Sequence, residues 1–404
     1  MYSNPFAAAT KRRRLPPMQG DQHLPLELLL EVVARSDDAA SIARCAAASR
    51  PLRRAMLGAG FRPVTRVGLI AAVRAGYDPA RLLGVSYASA DRGDDEHDIV
   101  RASWRLRFDT GQLRSLELVS SRGGLLVLWR HEAEAEPELR VCNTFTGNVA
   151  CLPYMDGEVG KWGNPGIYRP TLLTVADAGR SFELLAMDGC LRTCIFSSSV
   201  IRSINGSGKW GAIRLVALPP EHDCWCFVNQ SAHTSPAIIG RIVHWICRST
   251  QRAAGVFILA VHADSAEATA IEPPPQGYLG GSSSTGSCCT LAATPEGNLS
   301  MFVPEAEVIS MWTLSTEGWS RDAVICKHGI GKQVMPGVDV NGMICWCVGF
   351  GERSRTVIFW MEKVGLIELN LGTMKANVLP WGGEHGTSRI AGVCFHEIDV
   401  ASLL

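Results

Sequence analysis

The sequence is poor in charge and has no long apolar segment. Charged residues make up 19% of the 404 residues, 39 Lys and Arg balance 39 Asp and Glu, and 47% of the chain is hydrophobic. This composition excludes an acidic disordered protein and a strongly basic nucleic-acid-binding protein as descriptions of the whole chain. The longest apolar runs, Gly255–Val261 and Gly124–Trp129, are far shorter than the roughly 18 residues of a membrane helix. We therefore expect a soluble protein without a membrane partner.

Disulfide scaffolding and secretion are also unsupported. Fourteen cysteines in 404 residues are too few for a disulfide-stapled domain, and residues 1–20 lack the apolar core of a signal peptide. We expect reduced thiols and an intracellular protein of the cytoplasm, the nucleus or both. The charge is unevenly distributed, because residues 1–114 hold 18 Lys and Arg against 12 Asp and Glu. This part carries +6 and the remainder −6, which indicates two differently charged regions.

The first 20 residues predict a disordered basic tail. They combine Ala, Pro and Ser with the run Lys11, Arg12, Arg13 and Arg14, and they show no apolar periodicity. Such a run is typical either of a nuclear localisation signal or of a solvated charge cluster, and both interpretations stay open.

Residues 21–60 predict three short helices in close succession. Pro25 suits a first helical turn, Ser36 to Asp38 offer N-caps for a second helix, and Ser49 opens a third that ends near Gly58. The unit is small and rich in alanine, so it has little area to bury, and we expect it to fold against another protein. Residues 61–80 are interpreted as a helical linker, with a fourth helix over Val64–Ala75.

Three motifs in this unit carry a resemblance to a known family. They are Leu24-Pro25-Leu26-Glu27-Leu28-Leu29, then Arg44-Cys45, then Ser49-Arg50-Pro51-Leu52-Arg53-Arg54. Their order and spacing over about 35 residues resemble an F-box. The sequence departs from many F-boxes at Pro51 or Leu52, where those have a tryptophan in the third helix.

An F-box implies docking on a Skp-type adaptor within a cullin-based ubiquitin ligase. We assign the following residues to the adaptor interface or to its support: Leu24, Pro25, Leu28, Leu29, Val32, Ile42, Cys45 and Leu52. An alternative interpretation places four apolar residues in a small internal core: Leu29, Val33, Ile42 and Met56.

Residues 81–404 predict an all-β domain. About fourteen short apolar runs alternate with Gly, Asn, Asp and Pro, and no amphipathic helix lies between them. This excludes a doubly wound α/β fold and leaves a sandwich, a barrel or a propeller. Weak repeats favour the propeller, because Cys-Trp-Cys occurs at both 224–226 and 345–347. Dividing the region by a blade repeat of roughly 40 to 50 residues predicts about seven blades, with six to eight acceptable.

Several segments of this region also resemble the C-terminal part of the large F-box families of grasses. They are Ser121–Leu128, Cys142–Gly147, Val243–Trp245, Ser310–Ser315 and Glu397–Leu404. The resemblance implies a kelch-like β-propeller that recognises a partner protein.

No catalytic, cofactor or metal site is predicted. Gly206–Gly211 spells G-x-G-x-x-G, but a strand pattern follows it where a dinucleotide site needs a helix, so we interpret it as a tight propeller turn. The cysteines lack the C-x-x-C spacing of zinc sites, and each Cys-Trp-Cys is expected to direct both thiols to one buried face. His222, beside Asp223 and Cys224, is the nearest approach to a catalytic dyad, and His244 is expected to be a structural residue of a strand.

These features together predict a non-catalytic substrate receptor of an SCF-type ubiquitin ligase, acting in protein degradation. Its partners would be a Skp-type adaptor with its cullin complex and a target protein that the sequence does not identify. The receptor would work by holding the target near the conjugating enzyme, which needs no cofactor and no nucleophile. Three alternatives are a propeller enzyme, a protein-interaction module outside any ligase, and a nucleic-acid adaptor acting through residues 11–14. The −6 charge of the larger region argues against the last.

Overall fold

Most of the chain that can be described is β-strand. The computed structural model describes residues 24–34, 45–46, 48–56, 66–73, 81–88, 117–130, 138–143, 148–153, 170–176, 179, 181–187, 191–200, 207–218, 225–227, 236–249, 256–275, 289–337, 343, 345–352, 355–378 and 390–398. The first elements are two helices and two strands: α1 (Leu26–Ala34), α2 (Arg50–Met56), β1 (Arg66–Val73) and β2 (Arg81–Ala88).

Five antiparallel blades follow. The first contains β3 (Glu117–Arg122), β4 (Leu125–Arg130), β5 (Glu138–Asn143) and β6 (Val149–Cys151). The second contains β7 (Thr171–Ala176), β8 (Ser181–Met187), β9 (Arg192–Val200), β10 (Ser207–Trp210) and β11 (Arg214–Leu215). The third contains β12 (Trp225–Phe227), β13 (Ala237–Ile239), β14 (Ile242–Ser249), β15 (Val256–His262) and β16 (Ala268–Ile271).

The last two blades have four strands each. The fourth blade contains β17 (Thr290–Ala293), β18 (Leu299–Pro304), β19 (Val308–Ser315) and β20 (Gly318–Cys326), and helix α3 (Lys327–Val334) follows it. The fifth contains β21 (Cys345–Phe350), β22 (Thr356–Met361), β23 (Gly365–Asn370) and β24 (Ala376–Val378), with β25 (Ile390–Ile398) after it. Strands pair in chain order within each blade, except that β10 and β11 share β9 and that β12 and β13 share β14.

A three-stranded sheet joins the last strand, β25, to the two strands that precede the first blade. Its order is β2–β1–β25, and both pairings are antiparallel. Strand β25 also contacts β21 of the fifth blade and β3 of the first. The blades therefore form a closed ring, in which strands far apart in sequence are held together by backbone hydrogen bonds.

The propeller prediction is confirmed. The predicted number of about seven blades, with six to eight acceptable, is wrong, because the described chain has five blades. The blades begin at Glu117, Thr171, Trp225, Thr290 and Cys345, so the repeat is about 55 residues. The sequence estimate assumed a shorter repeat. The last strand of a blade is hard to recognise because it is short, as in the three-residue β6 and β24, or half-exposed, as in β20, and so lacks a long apolar run.

One predicted helix is a strand, and one helix of the structure is not predicted from the sequence. Residues 66–73 form β1, not the helical linker expected over 61–80. The spacing of Val67, Ile70 and Val73 suits one helix face, but long-range pairing with β2 and β25 determines the conformation. Helix α3 was not expected, because Gly329 and Gly331 lower its helix propensity. Its Gln333 side chain accepts a hydrogen bond from Ala376 N at 2.9 Å and so covers the edge strand β24.

The core lies between neighbouring blades. Leu172 and Phe182 of the second blade pack on Leu125 and Val127 of the first, and Phe359 of the fifth blade packs in a cluster with Phe302 of the fourth. Two tryptophans add hydrogen bonds across blade boundaries. Trp210 Nε1 donates to Pro153 O at 2.8 Å, and Trp319 Nε1 donates to Glu272 O at 2.7 Å. Both bonds join a fourth strand to the chain that leaves the preceding blade.

Two motif interpretations have clear outcomes. Residues 207–210 of the G-x-G-x-x-G segment are strand β10, not a tight turn, and a Cβ at Gly208 would lie 2.3 Å from the Phe196 ring. The glycine therefore serves close packing on β9. Cys345 and Cys347 are both buried in the cluster that contains Phe359, as the strand alternation predicts.

Candidate functional site

Helix α1 is the strongest candidate surface among the described residues. It begins after Pro25, whose carbonyl accepts a hydrogen bond from Leu29 N at 3.1 Å. The helix therefore starts where the proline predicts it and covers Leu26–Ala34.

One side of α1 is apolar and lies in solvent. Leu24, Leu28 and Val32 are spaced by four residues, and their exposed fractions are 57%, 47% and 65%. Leu28 and Val32 therefore share one face of the helix, and Leu24 lies just before the helix begins at Leu26. Val33, on the opposite side of the helix, is only 5% exposed. The helix thus has a buried face and a second apolar face with no cover from the described chain; we call Leu24, Leu28 and Val32 the α1 face.

Helix α2 supplies the other half of a small internal core. Ser49 Oγ accepts a hydrogen bond from Leu52 N at 3.4 Å, in the manner of an N-cap. Leu52 and Met56 are buried, and α1 contacts α2. The opposite side of α2 carries Arg50, Arg53 and Arg54, all exposed; we call these three residues the α2 arginine face.

The predicted adaptor-binding residues occupy different environments. Leu24, Pro25, Leu28 and Val32 are exposed, Leu29 and Cys45 are half-buried, and Leu52 is buried. Val33 and Met56 lie in the internal core, as the alternative interpretation expected for them. Ile42 and the basic run Lys11, Arg12, Arg13 and Arg14 lie outside the described residues, as does most of the second of the three expected helices.

A charged cluster that sequence reasoning missed joins the second and third blades. Arg241, in the turn before β14, donates to both carboxylate oxygens of Asp264, at 2.5 and 2.6 Å, and also to Glu183 of β8. Thr174 Oγ1 donates to Glu183 at 3.2 Å. The hydrogen bonds with Arg241 lower the pKa of Asp264, and those with Asp264 and Glu183 raise the pKa of Arg241. The groups satisfy one another, which suits a connection between blades.

A second cluster lies within the fourth blade. The buried Ser310 hydroxyl donates to Glu305 and accepts from Arg321 Nε at 2.9 Å. Arg321 also reaches Glu305 at 3.1 Å and lies 5.9 Å from the ring centre of Trp312. Residues from β20, β19 and the preceding turn meet here, so only the strand register could have revealed the cluster.

Of His222 and His244, the described residues include His244. His244 lies buried in β14 and its Nδ1 donates to Ala237 O at 3.3 Å, and burial lowers its pKa. This confirms its structural role. His222, Asp223 and Cys224 lie outside the described residues. Within the described ranges, no three His, Cys, Asp or Glu side chains are grouped so that they could hold a metal ion. None of the described helices is long and apolar enough to cross a membrane.

Comparisons with known proteins identify a family but no activity. A family model described as a domain of unknown function, DUF7595, matches residues 84–404. The match begins within β2 and covers all that follows. No curated protein matches the chain.

Solved structures of similar fold are distant. A puromycin hydrolase shares 11% identity, with a TM-score of 0.38, over 69% of this chain and 41% of its own. TolB from Acinetobacter baumannii shares 8% identity, with a TM-score of 0.34, over 80% of this chain and 72% of its own. The SapL1 lectin, solved with alpha methyl fucoside, shares 10% identity, with a TM-score of 0.34, over 69% and 82%. Scores this low support no inference about a shared activity.

Proposed function

The chain belongs to the DUF7595 family, and from its own geometry we propose that it is the substrate-recognition subunit of an SCF-type ubiquitin ligase. The α1 face would dock on a Skp-type adaptor, and the propeller would bind the target protein. The observation that carries this proposal is the exposure of Leu28 and Val32 on one side of α1, and of Leu24 just before it, while Val33 on another side is buried.

Three arguments support a partner for the α1 face. Burial of an apolar side chain of this size releases roughly 1.5 to 3 kcal/mol, so three exposed side chains on one face leave substantial free energy available for binding. The same three residues fall within the segment that resembles an F-box. The helical region is also too small to build a large core of its own, which fits a unit completed by another protein.

The propeller would provide the second function. A ring of blades presents many loops of independent sequence at its two ends, and such loops are where binding residues concentrate on rigid scaffolds. Holding a target there raises its local concentration near the loaded conjugating enzyme, so the receptor itself needs no catalytic group.

The test is co-purification of the full chain with a Skp-type adaptor after co-expression. Changing Leu28→Asp together with Val32→Asp places two charges on the α1 face without touching the buried Val33 side, so binding should be lost while the fold persists. A matched control is Ile213→Asp with Leu215→Asp, two exposed apolar residues of the second blade, which should leave adaptor binding intact.

A folded protein that fails to bind the adaptor would contradict the proposal. The chain would then be examined as a ligase-independent interaction module or as a propeller enzyme. Equal loss of binding in the Ile213/Leu215 control would place the docking surface on the propeller and would also contradict it.

A further inference from the structure

The outer edge of the second blade exposes two large apolar side chains. Leu215 of β11 is 70% exposed, which is the highest value among the large apolar residues of the described chain. Ile213, just before this strand, is 44% exposed. Arg214 lies between them and is also exposed. We call these three residues the β11 edge.

The backbone of β11 is hydrogen-bonded to a neighbouring strand on one side only. It pairs with β9, and the described residues supply no second strand for its other side. Val216 N donates to Leu191 O at 2.9 Å and so points toward the paired side. Because successive residues of an antiparallel strand direct their N–H and C=O groups to alternate sides, those of Leu215 point outward. Outward backbone groups of this kind can pair with another extended chain.

The other outer strands of the blades lack this combination. The Gln333 side chain of α3 covers β24, and β20 carries the exposed charges of Arg321 and Asp322 beside one exposed apolar residue, Val324. In the described chain, β6 and β16 expose no large apolar side chain. Natural proteins protect their sheet edges in these ways, so an edge with two exposed apolar side chains indicates a binding surface.

The side chains of the β11 edge define the chemistry of the segment that would cover it. Directly opposite residues of neighbouring strands contact each other, so an added strand would place apolar side chains against Ile213 and Leu215. The residue between them would meet Arg214, whose guanidinium has no hydrogen-bond acceptor among the described residues. A carboxylate binds a guanidinium group through two parallel hydrogen bonds. The edge therefore fits an extended segment with one acidic residue between two apolar residues.

We propose that the β11 edge binds such a segment of the target protein as an added strand of the second blade. This rests on the proposed function, which assigns target recognition to the propeller. Backbone hydrogen bonds would supply affinity, and the three opposed side chains would supply specificity. The target and the adaptor would then use separate surfaces, the β11 edge and the α1 face.

The first experiment selects binders from a phage-displayed library of short random peptides, with the purified full chain as bait. The variant Ile213→Asp with Leu215→Asp is used to remove peptides that bind elsewhere. Enriched peptides should share an acidic residue between two apolar residues. A synthetic copy of the enriched peptide should bind this double variant at least about tenfold more weakly than the wild type.

Two further variants and a modified peptide test the mode of binding. Arg214→Glu should weaken binding about fivefold, whereas Lys209→Glu, at an exposed basic residue of β10, is the matched control and should stay within about twofold of the wild type. Methylation of the peptide's backbone nitrogens keeps its side chains but removes its N–H donors, and it should weaken binding at least about tenfold. Equal binding of the methylated peptide would overturn strand addition.

The outcomes separate this proposal from the docking function. If no peptide is enriched, or if the peptides bind the Ile213/Leu215 double variant as tightly as the wild type, recognition at the β11 edge is overturned. Adaptor binding of the same chain would then still support docking at the α1 face. If the wild type binds the peptide but not the adaptor, the docking function fails, and the β11 edge stands as the site of a ligase-independent interaction module.

Discussion

The first blade buries all of its neighbouring apolar residues, whereas helix α1 buries some and exposes others. Leu125, Leu126, Val127 and Leu128 are consecutive and all fully buried, although alternate side chains of a strand point to opposite faces. Both faces of β4 are therefore covered. In α1, Leu28 and Val32 are exposed while Val33 is buried. The propeller completes its core with its own blades, whereas the helices leave an apolar surface for another molecule.

The largest expected effect comes from opening the core of the propeller. Phe359 is fully buried between the fourth and fifth blades. Phe359→Ala should lower the free energy of unfolding by about 3 to 5 kcal/mol, because it loses burial and leaves a cavity. Chemical denaturation followed by tryptophan fluorescence measures the change. Val324→Ala, at a half-exposed position of β20, is the control and should change stability by less than about 0.5 kcal/mol. Similar losses in both variants would mean that the blades do not share a close-packed core.

Glu368 of β23 offers a pH-dependent test of the same core. Burial raises the pKa of its carboxyl group to about 7 from an ordinary value of 4.5. The folded state therefore holds this proton up to about pH 7, whereas the unfolded state loses it near pH 4.5. The contribution of this group to the free energy of unfolding is largest below pH 4.5 and declines as the pH rises. Above pH 7 it is lower by about 3 kcal/mol.

Glu368→Gln removes the ionisation with little change in shape. Unfolding free energies measured from pH 4 to pH 8 should fall less steeply in the variant than in the wild type, and the variant should be the more stable protein at pH 8. Parallel pH profiles for the two proteins would show that the carboxyl group is not desolvated in the fold. The described part of the helices contains no comparable buried carboxyl group, so a pH effect of this kind would report on the propeller.

The sequence predicts where the strands lie better than it predicts the number of blades or which strands pair. Short apolar runs give a local signal for strands that are covered on both faces, as in Thr356–Met361, where five of the six residues are buried. The predicted blade number is too high because the assumed repeat is shorter than the observed one, and a half-exposed fourth strand such as Gly318–Cys326 gives no apolar signal that marks the end of a blade. Strand β1 was mistaken for a helix, because its conformation depends on a partner more than 300 residues away in β25.

In the candidate site, too, local features can be predicted from the sequence, whereas features that depend on tertiary packing cannot. The start of α1 and the N-cap Ser49 were predicted from local chemistry. Which apolar residues of α1 face solvent could not be read from the sequence, because Leu28, Leu29 and Val33 are similar in type and only the packing of α2 distinguishes them. The clusters around Arg241 and Arg321 were missed for the same reason: their members are far apart in the chain and meet only through strand register.

Val32 and Val33 provide a matched pair for comparing the exposed and buried faces of α1. They are adjacent and identical in type, yet one is 65% exposed and the other 5%. Val33→Ala should lower the stability of the helical region by about 1 to 2 kcal/mol, since it removes buried methyl groups, and Val32→Ala by less than about 0.5 kcal/mol. Hydrogen exchange of the amides of α1 measures both. Equal effects would show that α1 has no distinct buried and exposed faces.

The smallest expected effect concerns the tryptophan bonds that join neighbouring blades. Trp319→Phe keeps most of the ring and removes the indole N–H that donates to Glu272 O. Because the bond is exposed, water can replace the indole as a donor to the carbonyl, and the free energy of unfolding should fall by only about 0.5 kcal/mol. Glu272→Ala is the control, since the bond uses the backbone carbonyl and not the side chain, and it should leave stability unchanged. If the two variants behave alike in thermal unfolding, the bond adds nothing to cohesion between blades, and the propeller would depend on apolar packing alone.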